Sequence, residues 1–249
     1  MVLVSEGCVV QACVAIWGTP EQQRSANVRV VLTTALLMSL ASSQATLGSE
    51  AGTGPERSEV WPVPIKGHVP VQPGEHPRLF FRKADVPELR RRASTPEGKA
   101  IVERCIHLLD GAKEVREAGK FTLWDAAAYG FLYQVTGEAK YAELARQCVD
   151  AIWAGAVDKD KRYSVMPPNE QMRAGPSISA VAIAYDLCYD AWDPAYRKEQ
   201  AQKIMSWKAR CKKDGRETSL EQLAMRPYSP NPVSNHFGLQ VGGAGLTVL

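Results

Sequence analysis

The chain has 249 residues, enough for one large domain or two small ones, and its balance of 45% hydrophobic and 23% charged residues is that of an ordinary globular protein. A net charge of +3, from 30 Lys and Arg against 27 Asp and Glu, gives no basic field of the kind that nucleic acid requires. This mild positive excess is compatible with an acidic substrate but does not argue for one.

The first predicted feature is an export signal. Arg24 and Arg29 precede the apolar run Val30–Leu40, which is too short to span a bilayer. Ser43 and Ala45 then supply small residues at the −3 and −1 positions of a cleavage site. Residues 1–45 are therefore expected to be a secretory signal with an over-long n-region, and the protein to be periplasmic or extracellular, with no membrane attachment after cleavage. A buried helix or a membrane anchor is the alternative for the same run. Four cysteines remain after such cleavage: Cys105, Cys148, Cys188 and Cys211. No two form a C-x-x-C pair and no zinc spacing is present, so they are expected to be core thiols within helices. No metal or cofactor is expected.

Residues 46–77 contain Pro55, Pro62, Pro64, Pro70, Pro73 and Pro77, a density that excludes helix and predicts an extended linker. Residues 78–249 are expected to form the folded domain. Leu79, Phe80 and Phe81 predict a short strand-like anchor. Asp85 is placed to cap a helix that starts near Pro87, with Arg90–Arg92 on its solvated face. Thr95 and Pro96 open a further helix, with Ile101, Cys105, Leu108 and Leu109 on one face. Helices are also predicted over Leu123–Val135, Glu138–Ala154, Ser177–Trp192 and Pro194–Lys213. Period-two alternation is nearly absent, so the expected class is all-α.

A weak repeat links residues 128–152 to residues 184–205. Tyr129, Tyr133 and Tyr141 recur as Tyr185, Tyr189 and Tyr196. Each copy reads as an apolar inner helix, a short turn and an amphipathic outer helix, repeating every ~55 residues, longer than tetratricopeptide-type repeats. That arrangement predicts an α/α solenoid or toroid. The shared tyrosines fit packing better than ligand contact.

In such a fold the polar rim loops are where chemistry is expected. Two qualify, residues 161–177 and 225–238. Arg173 and Asn231 are candidate substrate contacts, although exposed loop residues of these types need no function. Asn235 and His236 stand where the last helix begins. Asn235 can serve simply as a cap, whereas the positive helix end favours a neutral imidazole at His236 and attracts carboxylates. The Gly-rich stretch from Gly238 to Gly245 allows close helix packing or close approach of a ligand. The chain then stops on Leu246, Val248 and Leu249, which reads as a helix cut off in its first turns.

The segments HPRLFFRKADVPELRRR, AYDLCYDAWD and SNHFGLQVGGAGLTVL, in that order, resemble the N-terminal part of the heparinase II/III-like polysaccharide lyases, a group that includes alginate lyases. The resemblance covers about residues 70–249 and implies an incomplete (α/α) toroid, here truncated at the C-terminus. It also implies β-elimination on uronic-acid polysaccharide. Asn235 and His236 match the pair that meets the substrate carboxylate in such lyases. The Tyr and second His that move protons in the family would fall beyond Leu249, so the chain alone is expected to be inactive. Some relatives carry an acidic residue one turn after the His, where this chain has Leu239 and Gln240. Two alternatives remain open. An (α/α) glycoside hydrolase would need two rim carboxylates, for which only Glu170 is a good loop candidate. A non-catalytic helical scaffold would need none.

Overall fold

A computed structural model describes Gly67, residues 69–169, residues 171–224 and residues 235–248; of Gln171, Met172, Asn235–Phe237 and Gln240 it describes the backbone only. The expected signal over residues 1–45 and most of the expected linker lie outside the described residues. The chain divides at Pro73–Gly74, and the helical unit described below starts at Gly74. In the other unit, residues 69–73 are exposed and carry no regular element.

The helical unit opens irregularly. Phe81 is buried and Leu79 and Phe80 pack against its cluster, but no strand forms there. The backbone N–H groups of Arg78 and Leu79 donate to the Asp186 carboxylate instead of to a neighbouring strand. A 3-10 turn over Lys83–Asp85 leads into α1 (Val86–Ala93). Asp85 precedes α1 as expected, yet its carboxylate turns back and accepts from the Arg82 N–H at 2.9 Å. Arg91 is solvated, whereas Arg90 donates to the Gln134 carbonyl at 2.9 Å. That contact satisfies an orphan carbonyl of a neighbouring helix end.

Helix α2 (Pro96–Leu108) starts as the sequence predicts, with Pro96 first and Thr95 Oγ1 accepting from the Gly98 N–H at 3.1 Å. Gly98 is needed there, because a Cβ would fall 2.1 Å from the Arg92 carbonyl oxygen. Leu109 is buried, but Leu108 is 42% exposed and leaves the expected apolar face. Helices α3 (Trp124–Thr136) and α4 (Ala139–Trp153) match their expected spans closely. Gly137, at φ +77°, turns the chain between them.

Helix α5 (Gln171–Cys188) begins six residues earlier than expected and stops before Trp192. Pro176 lies in its early turns and removes one N–H bond without ending the helix. Helix α6 (Pro194–Ser206) is capped by Asp193, whose carboxylate accepts from the Tyr196 N–H at 2.9 Å. It is shorter than expected. Residues 207–213 leave the helix, and β1 (Lys208–Arg210) pairs antiparallel with β2 (Glu217–Ser219). Asp214–Gly215 supplies the turn, with Gly215 at φ +68°, and Cys211 lies in this hairpin rather than in a helix. The short helix α7 (Leu220–Ala224) follows, and α8 (Asn235–Val248) is the last element. The fold is mostly helical, with one two-stranded sheet among the described residues. The four cysteines are thiols, and Cys148 and Cys188 are buried.

Three side-chain bonds fix the direction of the outer helices. Trp192 Nε1 donates to the Ala142 carbonyl at 3.0 Å, Tyr196 Oη to Asp150 at 2.8 Å, and Trp153 Nε1 to Gln200 at 2.7 Å. Positions advance together along both chains, so α4 and the α6 end of the second hairpin run the same way. Hairpins α3–α4 and α5–α6 therefore repeat with one polarity, and α3 and α5 lie parallel. Helices α3 and α5 pack closely, with Gly130 against Leu187 and Cys188. Tyr129 is fully buried on α3 and donates to the Glu114 carbonyl at 2.8 Å. Two apolar clusters surround this pair, one around Tyr129, Ile152 and Ile178, and one around Phe81, Leu89, Phe131 and Leu187. Each fully buried Leu or Phe among them contributes roughly 1.5–3 kcal/mol.

Candidate functional site

Helix α8 packs on α5 and is seated by glycine. A Cβ on Gly243 would lie 2.3 Å from the carbonyl carbon of Gly175 and 2.6 Å from the nitrogen of Pro176. No side chain fits at that crossing, so the two backbones touch. Further along, Leu246–Val248 and Ala182–Tyr189 face one cavity, so α8 runs in the same direction as α5. The starts of α5 and α8 therefore point to the same end of the unit. At ~1.5 Å per residue, Asn235 stands about 12 Å before the crossing and Arg173 about 3 Å before it. Each of these helix starts carries a positive dipole end.

The loop before α5 is held firmly. Asp158 is buried and accepts from the Leu123 N–H at 2.8 Å and the Asp160 N–H at 2.7 Å, which ties the loop to the start of α3. Burial raises its pKa, partly opposed by those two N–H bonds. Asn169 is buried as well, donating to the Val165 carbonyl at 3.0 Å and accepting from the Arg210 N–H at 2.7 Å. Trp207 Nε1 closes the same loop on the Val165 carbonyl at 2.8 Å. The small hairpin, unforeseen in the sequence, is thus what braces the rim.

Arg173 emerges from this scaffold in the first turn of α5 and not in a loop, because α5 starts at Gln171. It is half-buried, with its guanidinium carbon 5.7 Å from the Tyr163 ring centroid. Its charge also helps lower the Asp160 pKa, whose main cause is the hydrogen-bonded Arg162. Asn235 and His236 are the first two residues of α8, as the sequence predicts. Their side chains, and Asn231 and Glu170 altogether, lie outside the described residues. Arg173 and the start of α8 thus lie on the same side of the Gly243–Gly175 crossing.

Other carboxylates near this rim are committed elsewhere. Asp125, in the first turn of α3, receives Arg116 Nε at 2.8 Å, the Thr122 N–H at 3.1 Å and the Thr122 hydroxyl at 2.7 Å. Such a carboxylate is neutralised in place and is no candidate for an acid–base pair. Among the described residues, no three His, Cys, Asp or Glu side chains are grouped to hold a metal ion.

One polar cluster went unread in the sequence. His76 Nδ1 lies 2.7 Å from Asp186 Oδ1, and both residues are buried. The same carboxylate accepts from the Arg78 N–H at 3.1 Å and the Leu79 N–H at 3.1 Å. Tyr189 stacks on the His76 ring at 4.0 Å between centroids. The available signal was Asp186 itself, one carboxylate inside the apolar stretch ISAVAIAYDLCY, which burial obliges to find donors. No protein-family model, no curated protein and no solved structure matches the chain.

Proposed function

We propose that this chain carries the uronate-binding part of an exported polysaccharide lyase that works by β-elimination. The repeated hairpins are read as arms of an incomplete (α/α) toroid, with α3, α5 and α8 as its inner helices. Asn235 and His236 pair with a substrate carboxylate, and Arg173 and Asn231 contact the same chain of acidic sugars. The chemistry explains why a carboxylate must be met. Removing the proton at C5 places charge on the adjacent carboxyl group as an enolate-like state. The C4–O4 bond then breaks, a C4–C5 double bond forms, and the departing oxygen takes a proton. Hydrogen-bond donors and a positive helix end aimed at the carboxylate stabilise that charge. Asn235 and His236 are assigned this neutralising role alone, with proton transfer left to other groups and no cofactor involved.

The observation that supports the reading is the crossing of Gly243 on Gly175, which packs α8 directly on α5, the helix that carries Arg173. A hydrolase reading loses support, since Asp125 and Asp158 are bound to Arg116 and to backbone N–H groups. The test is calorimetric titration of the chain with a saturated oligouronate and with the same oligosaccharide carboxyl-reduced to alcohols. Binding of the acid form alone, weakened by salt, is the expected result. Equal binding of both forms, or of neither, would overturn it.

A further inference from the structure

Far from that rim, the His76–Asp186 pair opens on a cavity of about 420 Å³ between α5, α6, the end of α8 and the segment around Arg78. This volume lies within the ~300–1,000 Å³ of small-molecule sites. The hydrogen bonds fix the chemistry of the imidazole. Asp186 accepts from the Arg78 and Leu79 N–H groups, so as a carboxylate it accepts from His76 Nδ1 too, which leaves Nε2 as the ring nitrogen not engaged by Asp186. Asp186 fixes the orientation of the ring, and Tyr189 holds the ring plane by stacking, with Arg197 4.2 Å from the Tyr189 centroid.

The cavity lining holds one cation, Arg78, and one carboxylate, Asp186, which is already engaged by His76 and two backbone N–H groups. Arg78 lines it, and Arg78 and Arg197 both act on the Tyr185 hydroxyl, whose pKa burial raises. Asp186 has its oxygens turned to the backbone of Arg78 and Leu79, and Asp190 is paired with Lys83 at 2.7 Å. The remaining walls, Ala182, Ile204, Leu246 and Val248 among them, are apolar. We propose that this cavity is a binding site for a small carboxylate of monosaccharide size, held by His76 Nε2 and Arg78, with Tyr185 as a further contact. The site is independent of the lyase reading, since it shares no residue with the rim.

The test follows the His76 ring nitrogens by nitrogen-15 NMR in the whole chain, with glucuronate as the probe and glucose as its neutral counterpart. Glucuronate is expected to shift His76 Nε2 saturably, and glucose to leave it unmoved. Arg78→Ala keeps the latch, because only the Arg78 backbone N–H meets Asp186, and it should weaken binding at least tenfold. Tyr185→Phe should weaken it several-fold. His236→Ala should change nothing here, which separates this site from the rim. No shift with glucuronate, an equal shift with glucose, or full affinity in Arg78→Ala would each overturn the assignment.

Discussion

Gly243 and Gly175 touch backbone to backbone, with 2.3 Å between the Gly175 carbonyl carbon and the point where a Cβ on Gly243 would sit. Gly243→Ala must therefore push α8 off α5. The expected cost is about 1–3 kcal/mol of stability, as for other overpacked contacts. Because the start of α8 moves with it, oligouronate affinity should fall further than in an equally destabilised variant elsewhere. Thermal denaturation and calorimetric titration of the same samples check both parts.

Arg116 and Asp125 form a nearly buried pair, with side chains 13% and 3% exposed. Arg116→Met leaves a buried carboxylate with only Thr122 donating to it. A loss of about 3–5 kcal/mol is expected, measured by urea denaturation. Replacing both partners, as Arg116→Met with Asp125→Leu, should recover part of that loss. A single variant that unfolds at the wild-type midpoint would show that the pair is solvated.

Trp192 links the two hairpins through its indole N–H, which donates to the Ala142 carbonyl at 3.0 Å inside the fold. Trp192→Phe keeps an aromatic ring and removes the donor; Ala142 lies inside α4 and its carbonyl keeps its helical bond, so the loss should be that of one hydrogen bond, about 0.5–1.5 kcal/mol. Hydrogen exchange should quicken in α4 and α6 together. Acceleration in one helix alone would argue against hairpins that depend on each other.

Glu88 is held by hydrogen bonds from Arg91 and Arg92, which lower its pKa from 4.5 to about 2. The folded value lies below the unfolded one, so this contribution is present above pH 4.5 and is lost as pH falls toward 2. The pair is exposed, and salt should move the value back toward that of a free glutamate. Carbon-13 titration of the Glu88 carboxyl at low and high salt reads this directly.

Local signals made the helices legible. Thr95 before Pro96 and Asp193 before Pro194 mark helix starts that the structure keeps to the residue. The repeat of Tyr129 and Tyr185 likewise pointed to paired inner helices. Features that depend on distant partners stayed hidden. Leu79–Phe81 has the composition of a strand, but the Leu79 N–H goes to Asp186, more than a hundred positions away. The start of α5 was expected at Ser177 and stands at Gln171, with Pro176 inside the helix, because one missing bond near a helix start is tolerated. Residues 208–219 kept too little alternation to reveal a hairpin, although Asp214–Gly215 is a turn signal. At the site, Asn235 and His236 were readable as a helix start. The crossing that packs α8 on α5 depends on Gly243 meeting Gly175, and no local pattern encodes which helix a glycine will touch.

The central claim is that His236 meets a substrate carboxylate. It is tested most directly by the ratio of affinities for native and carboxyl-reduced oligouronate, measured in the wild-type chain and in His236→Ala. The account predicts a ratio well above ten in the wild type that collapses toward one in the variant, with an unchanged melting temperature. A ratio that survives the substitution, or that is already one in the wild type, would contradict it.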